Sequence, residues 1–199
     1  MSLQEIFVLY VKFFFIYTPF FIVAVFLTIT EDESYRTRNS LALRFSIGIV
    51  TISLIMFSFG QSIFAMLGIT LEAFKVGAGA LLFLTAVNLV DGKIQLPNTK
   101  TSVLDMAIVP LAIPFALGPG SIGMLIVADM EAIDPTHKIY IGITIAFASL
   151  SVGLMLFLAT KIERLLGKSG IVMLSKLTGL ILAALSCQMI FTGIATFFK

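Results

Sequence analysis

The sequence predicts an all-α integral membrane protein with six transmembrane helices, arranged as two inverted three-helix repeats. Of its 199 residues, 59% are hydrophobic and 12% are charged, and the mean hydropathy is +1.09. Soluble domains carry about 25% charged residues, so this chain has too few charges to cover a surface in water. Six helices of about 20 residues use nearly its whole length. We therefore expect a single transmembrane domain over residues 1–199.

The six predicted helices follow the long apolar runs of the chain. Transmembrane strands would alternate apolar and polar residues over about 10 positions, and no run in this sequence does so. Helix 1 contains one charge, Lys12, and helix 3 carries Glu72 and Lys75 in its first turns, where their charged ends can reach water. The predicted helices are 6–29, 45–71, about 71–90, 106–128, 139–160 and 177–198.

The distribution of Lys and Arg predicts the orientation. The predicted loops after helices 1, 3 and 5 hold nine of the thirteen, and the positive-inside rule makes that side cytoplasmic. We expect both termini on the outer, periplasmic side of a multi-pass protein of the cell inner membrane. The first apolar run lacks the basic start of a cleavable signal and is expected to be a retained span. The nine are Arg36, Arg38, Arg44, Lys93, Lys100, Lys161, Arg164, Lys168 and Lys176.

Several classes of function are excluded by composition. A net charge of +2, with dispersed charges, indicates no nucleic-acid partner. One cysteine, Cys187, allows neither an intrachain disulfide nor a Cys-based zinc site. One histidine, His137, in a predicted loop supplies neither a buried hydrolase pair nor convergent metal ligands. We therefore expect no enzyme, no metal centre and no cofactor; the partners are the bilayer and a small-molecule substrate, and an oligomer is possible.

A faint internal repeat has a period near 100 residues. Three spans in each half is an odd number, so the second half (100–199) enters the membrane with opposite polarity to the first (1–95). Inverted repeats recur in secondary transporters, where the two halves exchange conformations. The matched positions are Pro19 with Pro119, Leu67-Gly68 with Leu166-Gly167, Lys75 with Lys176, and Gly92 with Gly193.

Helix 4 contains three prolines and three glycines between Pro110 and Gly123. Each internal proline removes a donor and clashes with the preceding turn, at a cost of about 3 kcal/mol. We predict a break near the midplane at Gly118-Pro119-Gly120. A half-helix beginning after the break offers free N–H groups to a carboxylate, and Ser121 adds a hydroxyl. The alternative is a packing kink, in which the glycines allow close helix approach.

Helix 1 supplies the counterpart break at Thr18-Pro19-Phe20, half way along its own span. Thr18 and the carbonyls before Pro19 are predicted to face the same cavity; an ordinary proline kink is the alternative. Helices 3 and 6 add Asn88 and Gln188, which bind either the substrate or a neighbouring helix. No Asp or Glu occupies the middle of a predicted span, so Na⁺ held by carbonyls, or protons carried by loop carboxylates, would couple transport.

Five segments carry a resemblance to a known family: FKVGAGALLFL at 74–84, IVPLAIP at 108–114, GPGSI at 118–122, LGKSG at 166–170 and GLILAA at 179–184. They resemble the MarC family of six-span membrane proteins, and the resemblance covers essentially the whole chain. This resemblance implies an inner-membrane protein, one branch of the family being described as a transporter of small neutral amino acids such as glycine and alanine. Two positions depart from the family pattern: Thr18-Pro19-Phe20-Phe21 replaces Asn-Pro-x-Gly, and Asn88 replaces an acidic residue.

The sequence thus predicts a secondary transporter of small neutral amino acids that works by alternating access. The substrate carboxylate would meet the half-helix N-terminus at Gly120 and Ser121, and its ammonium the carbonyls before Pro19 or Pro119. Two alternatives remain: a channel or facilitator for small solutes, and a structural or regulatory membrane subunit with no permeant.

Overall fold

The computed structural model describes residues 2–66, 68–92 and 116–198, and these residues form seven α-helices and no strand. All but α7 begin at a side-chain cap or a proline that the sequence displays. Ser2 and Glu5 form a capping box at the start of α1, and Pro119 and Pro135 occupy the first turns of α5 and α6. The helices are α1 Leu3–Ile16, α2 Pro19–Ile29, α3 Tyr35–Met66, α4 Leu71–Asp91, α5 Pro119–Met130, α6 Pro135–Phe157 and α7 Ala159–Phe197.

The prediction of an all-helical membrane protein is confirmed. Five stretches are long and apolar enough to cross a bilayer, the first of them formed by α1 and α2 together over Leu3–Ile29. The short apolar helix α5 is a sixth hydrophobic element. Exposed Phe, Leu, Ile and Val side chains cover the outside of the bundle, as expected of a surface that faces lipid.

Two ends of the bundle can be distinguished. We call the end that contains the start of α1 and the end of α5 the N-terminal face, and the end that contains the α2 to α3 connection the opposite face. Contacts between helices confirm the grouping: Lys75 near the start of α4 meets Glu131 after α5, whereas Glu31 after α2 meets Lys168 on α7.

Helix packing follows a regular scheme. The most extensive contact joins α4 to α7, and α3 packs along α6. The first helical segment, α1 and α2, packs on α6 and α7, whereas α5 packs on α3 and α4. Exchanging α1 and α2 with α5, α3 with α6, and α4 with α7 therefore reproduces these main contacts.

Local features also recur at a spacing of 100 residues. Two of the three helices that start with proline, α2 and α5, begin 100 residues apart, at Pro19 and Pro119. Ser34 and Asp134 each accept a hydrogen bond from the backbone N–H three residues later, at the starts of α3 and α6. At a spacing of 99, Gly68 and Gly167 both have left-handed backbones, with φ of 67° and 70°.

Two predicted helix boundaries were wrong. The second helix begins at Tyr35 rather than Phe45, and the last begins at Ala159 rather than Leu177. Basic residues assigned to loops, such as Arg38 and Lys168, therefore lie on helices. Hydropathy marks the length of chain inside hydrocarbon, and a helix continues beyond it when charged side chains reach water. Within α7 only Gly167 departs from helical geometry.

Two further assignments to loops were wrong. Asp129 lies on α5 and is 3% exposed, and His137 lies in the first turn of α6, where its Nδ1 accepts a hydrogen bond from the Ile133 N–H. The first part of predicted helix 4, residues 106–115, and the loop residues Lys93 and Lys100 lie outside the described residues.

Candidate functional site

The chain leaves helical geometry between α1 and α2, at Tyr17 and Thr18. Thr18 has φ 49° and ψ 54°, a left-handed conformation that costs a residue other than glycine about 1–2 kcal/mol. Proline has no N–H and disfavours α-helical geometry in the residue before it, so Pro19 explains why α1 stops here. The Tyr17 hydroxyl donates a buried hydrogen bond of 3.0 Å to Ser53 Oγ on α3, which attaches this segment to the bundle.

The first turn of α5 contacts the end of α1. Ser121 Oγ donates a hydrogen bond of 3.2 Å to the Ile16 carbonyl, and this bond is buried. The carbonyls of the last turn of a helix lack partners within that helix, so Ser121 satisfies one of them from the other half of the chain. The structure therefore brings together two of the predicted site segments, those around Thr18 and Ser121.

Thr18 is a polar residue in an apolar setting. Its side chain is 2% exposed, and within the described residues its hydroxyl has no hydrogen-bond partner. Leaving a buried hydroxyl unpaired costs about 1–3 kcal/mol. A polar group of a ligand would recover that energy.

The Gly118-Pro119-Gly120 segment has two structural functions. Gly118 is the N-cap of α5 and provides no side-chain hydrogen bond to the first turn, which leaves the positive end of that helix dipole without a side-chain cap. Gly120 packs directly on α4: a Cβ at Gly120 would lie 2.6 Å from the Leu82 Cα. Gly120 therefore permits close approach of the two helices, as the alternative of a packing kink predicts.

The other predicted site residues lie away from the break or at its edge. Phe20 is half-buried on α2. Asn88 is exposed on α4, six residues beyond Leu82 and therefore about 9 Å farther along the helix axis. Gln188 is exposed on α7 and lines a cavity of about 90 Å³ near the N-terminal face, together with Lys12 and Glu131.

The charged groups around that cavity were not among the predicted site residues. Lys75 Nζ lies 2.5 Å from Glu131 Oε1, and the Lys75 side chain is only 11% exposed. Nearby, the buried Asp129 pairs through Oδ1 with Lys138 Nζ at 2.5 Å, and its Oδ2 has no hydrogen-bond partner within the described residues. Charges inside apolar helices were the available signal, since such residues are rare and mark functional positions.

A second cavity, of about 360 Å³, lies near the opposite face. It contains a second Glu–Lys pair, Glu31 with Lys168, at 3.2 Å, whose side chains are 66% and 76% exposed. Three lining positions of the two cavities correspond at a spacing of 100 residues. These are Ala24 with Met124, Leu27 with Val127, and Glu31 with Glu131.

Ser121→Ala is expected to destabilise the protein by about 1–3 kcal/mol, because the Ile16 carbonyl would be left buried and unpaired. The measurement is thermal unfolding of the purified variant in detergent. Ser175→Ala is the matched control: Ser175 is also buried, but its hydroxyl bonds to Ile171 of its own helix, whose carbonyl keeps its backbone partner. Equal stability of the two variants would contradict a joining role for Ser121.

Comparison with known proteins agrees with this architecture. The sequence profile described as MarC family integral membrane protein matches residues 3–198. A UPF0056 membrane protein of Aquifex aeolicus is 32% identical over 99% of this chain and 97% of its own length. A second, of Methanocaldococcus jannaschii, is 34% identical over 98% of each chain, and the UPF0056 protein YhcE of Escherichia coli is 28% identical over 96% and 94%.

No solved structure is significantly similar to the chain. The family profile covers α1 to α7, including the segments at Pro19 and Pro119. The resemblance stated from the sequence is thereby confirmed, and the chain belongs to the MarC family of integral membrane proteins.

Proposed function

We propose that this protein is a secondary transporter that moves small neutral amino acids such as glycine and alanine across the membrane by alternating access. One observation carries the proposal: α2 and α5 start at prolines 100 residues apart, and a buried hydrogen bond from Ser121 to Ile16 joins the start of α5 to the end of α1. Interrupted helices of matched position in two halves are typical of substrate sites in transporters.

Reciprocal contacts support an internal duplication. In each half a glycine packs on a carbonyl and an aliphatic side chain of the other half, at positions that differ by 100. A second reciprocal pair, Gly193 with Lys75 and Gly92 with Lys176, differs by 101. A two-fold axis relating the halves generates such pairs. The first pair consists of Gly79 with the Ser186 carbonyl and Ile190, and Gly179 with the Ala86 carbonyl and Val90.

The directions of the helices support inversion. Helix α2 runs from the break to the opposite face, whereas α5 runs from Pro119 to the N-terminal face. The two equivalent segments are therefore antiparallel, as halves of opposite polarity require. Such halves can exchange conformations between two states of similar energy, one open to each side.

The difference between the two faces supports one such state. Near the N-terminal face the Lys75–Glu131 pair is short and partly buried, and it lies beside cavities of about 90 and 520 Å³. Near the opposite face the Glu31–Lys168 pair is longer and exposed beside a cavity of about 360 Å³. From the burial of these two ion pairs we assign the structure to a conformation in which the Lys75–Glu131 contact is closed at the N-terminal face and the Glu31–Lys168 contact is open to water at the other.

The substrate in this proposal is a small zwitterion bound between the breaks. The unpaired Thr18 hydroxyl would bind one of its polar groups, and the first turn of α5 would attract its carboxylate. Because the opposite face carries Arg36, Arg38, Arg44 and the basic residues of α7, we propose that it is cytoplasmic. The membrane would be the cell inner membrane.

Labelled glycine or alanine is expected to accumulate in proteoliposomes of the purified protein when a Na⁺ or proton gradient is imposed. Thr18→Val keeps the side-chain shape and removes the hydroxyl. We expect uptake to become at least about tenfold slower, because the loss of one hydrogen bond worth ~1.4 kcal/mol corresponds to a tenfold change in rate. Thr85→Val is the matched control, because the Thr85 hydroxyl bonds to Leu81 of its own helix.

Three results would contradict parts of this proposal. Uptake that stops at equilibrium would indicate a facilitator instead of a coupled transporter. No flux of either amino acid through folded protein would remove the substrate assignment. Equal uptake by the Thr18→Val and Thr85→Val variants would remove Thr18 from the site.

A further inference from the structure

Lys12 is an isolated cation inside the first apolar segment. It is the single charge between Ile6 and Ile29, its side chain is half-buried, and within the described part of the chain it makes no ion pair or hydrogen bond. Burying a charge without a partner is costly. An anion beside Lys12 would therefore stabilise this conformation.

The surroundings of Lys12 contain complementary polar groups. The cavity of about 90 Å³ is lined by Lys12, Lys75, Glu131, Gln188 and Thr192 among apolar side chains. Lys75 is neutralised by Glu131 through Oε1, and the second carboxylate oxygen of Glu131 accepts no hydrogen bond within the described residues. Of these three charges, Lys12 is the one without a partner of opposite charge within the described residues.

We propose that this cavity is a recognition site for a zwitterionic solute, with Lys12 binding the carboxylate and Glu131 the ammonium group. The inference rests on the proposed function, since the solute would be the transported amino acid, and it adds a site outside the helix breaks. Gln188, whose side-chain amide makes no hydrogen bond within the described residues, lies in reach to orient the carboxylate.

Size and position fit such a solute. A volume of about 90 Å³ exceeds the ~10–15 Å³ that one water needs, which leaves room for a solute of a few heavy atoms. Lys12 and Glu131 also line a wider cavity of about 520 Å³, which includes Ser2 and His137. Lys12 precedes Thr18 by six residues, about 9 Å along a helix. The site therefore lies between the N-terminal face and the break.

The first test is binding by the purified, full-length protein, measured as a rise in thermal unfolding temperature with added glycine. Wild-type protein is expected to respond to glycine but not to glycinamide, which lacks the carboxylate. Lys12→Gln is expected to lower glycine affinity at least about tenfold, and Lys12→Arg to retain most of it. Lys161→Gln, an exposed cation on α7, is the matched control and is expected to bind as wild type.

The second test needs no transported substrate. In a Cys187→Ser background, a cysteine replacing Gln188 is expected to react several-fold faster with a sulfonate-bearing methanethiosulfonate than with its trimethylammonium analogue. Adding Lys12→Gln is expected to abolish that preference. An unchanged preference would overturn the role of Lys12.

The remaining outcomes separate this inference from transport itself. Equal glycine binding by Lys12→Gln and Lys161→Gln, with normal uptake, would overturn the recognition site and leave the transport function standing. A Lys12-dependent preference for the sulfonate reagent, with no glycine response in wild-type protein, would overturn the zwitterion assignment.

Discussion

Gly120→Ala is expected to destabilise the protein by about 1–3 kcal/mol, the usual cost of overpacking a well-packed interior. The added methyl group would lie 2.6 Å from the Leu82 Cα and 2.8 Å from the Leu82 N. Both are backbone atoms of α4, so relief requires a shift of one whole helix against the other. We expect the thermal unfolding temperature in detergent to fall by several degrees.

Gly77→Ala is the matched control for this prediction. Gly77 lies in the middle of α4, and a Cβ there would have no atom within 4 Å. Alanine favours helix over glycine by about 1 kcal/mol, so this variant is expected to be as stable as wild type or more so. An unchanged unfolding temperature for Gly120→Ala would show that α4 and α5 are not in close contact in the folded protein.

Glu131→Gln is expected to open the N-terminal face. The substitution removes the partner of Lys75, which is only 11% exposed, and an unpaired cation in that position favours conformations that admit water. A loss of ~1.4 kcal/mol corresponds to a tenfold shift between closed and open states. We expect a cysteine replacing Met124, which lines the cavity, to react about tenfold faster with a membrane-impermeant thiol reagent.

Glu31→Gln is the control at the equivalent position of the other half. The Glu31–Lys168 pair is exposed, and exposed pairs contribute about 0–1 kcal/mol, so this variant is expected to leave the reactivity at position 124 unchanged. The measurements are made in a Cys187→Ser background. Equal effects of the two variants would contradict the assignment of a closed N-terminal face.

The membrane class and the starts of α2 and α5 at prolines could be predicted from the sequence. Charge-free runs are a direct consequence of the bilayer, and Pro19 and Pro119 stop any preceding helix by removing a donor. The starts of α3 and α7 could not be predicted, because hydropathy does not register the part of a helix that extends into water. Their basic residues were assigned to loops for the same reason.

The candidate site was predicted in part. The repeat predicts that the segments around Thr18 and Ser121 are neighbours. In the structure a hydrogen bond from Ser121 to the Ile16 carbonyl joins these two segments. The cavity around Lys12 could not be predicted, because it depends on four separate helical elements that meet only in three dimensions. The close packing of Gly120 on Leu82 likewise requires knowledge of which helices are neighbours.

The backbone at Thr18 has a mechanical consequence. A threonine followed by proline cannot easily adopt ordinary helical geometry, so the bend between α1 and α2 cannot straighten into one rod. Two hydrogen bonds hold this bend in place, one from the Tyr17 hydroxyl to Ser53 on α3 and one from Ser121 on α5 to the Ile16 carbonyl. Helices α1 and α2 therefore form one rigid, bent segment. In the proposed alternating-access transport, this segment would move as a whole against α6 and α7.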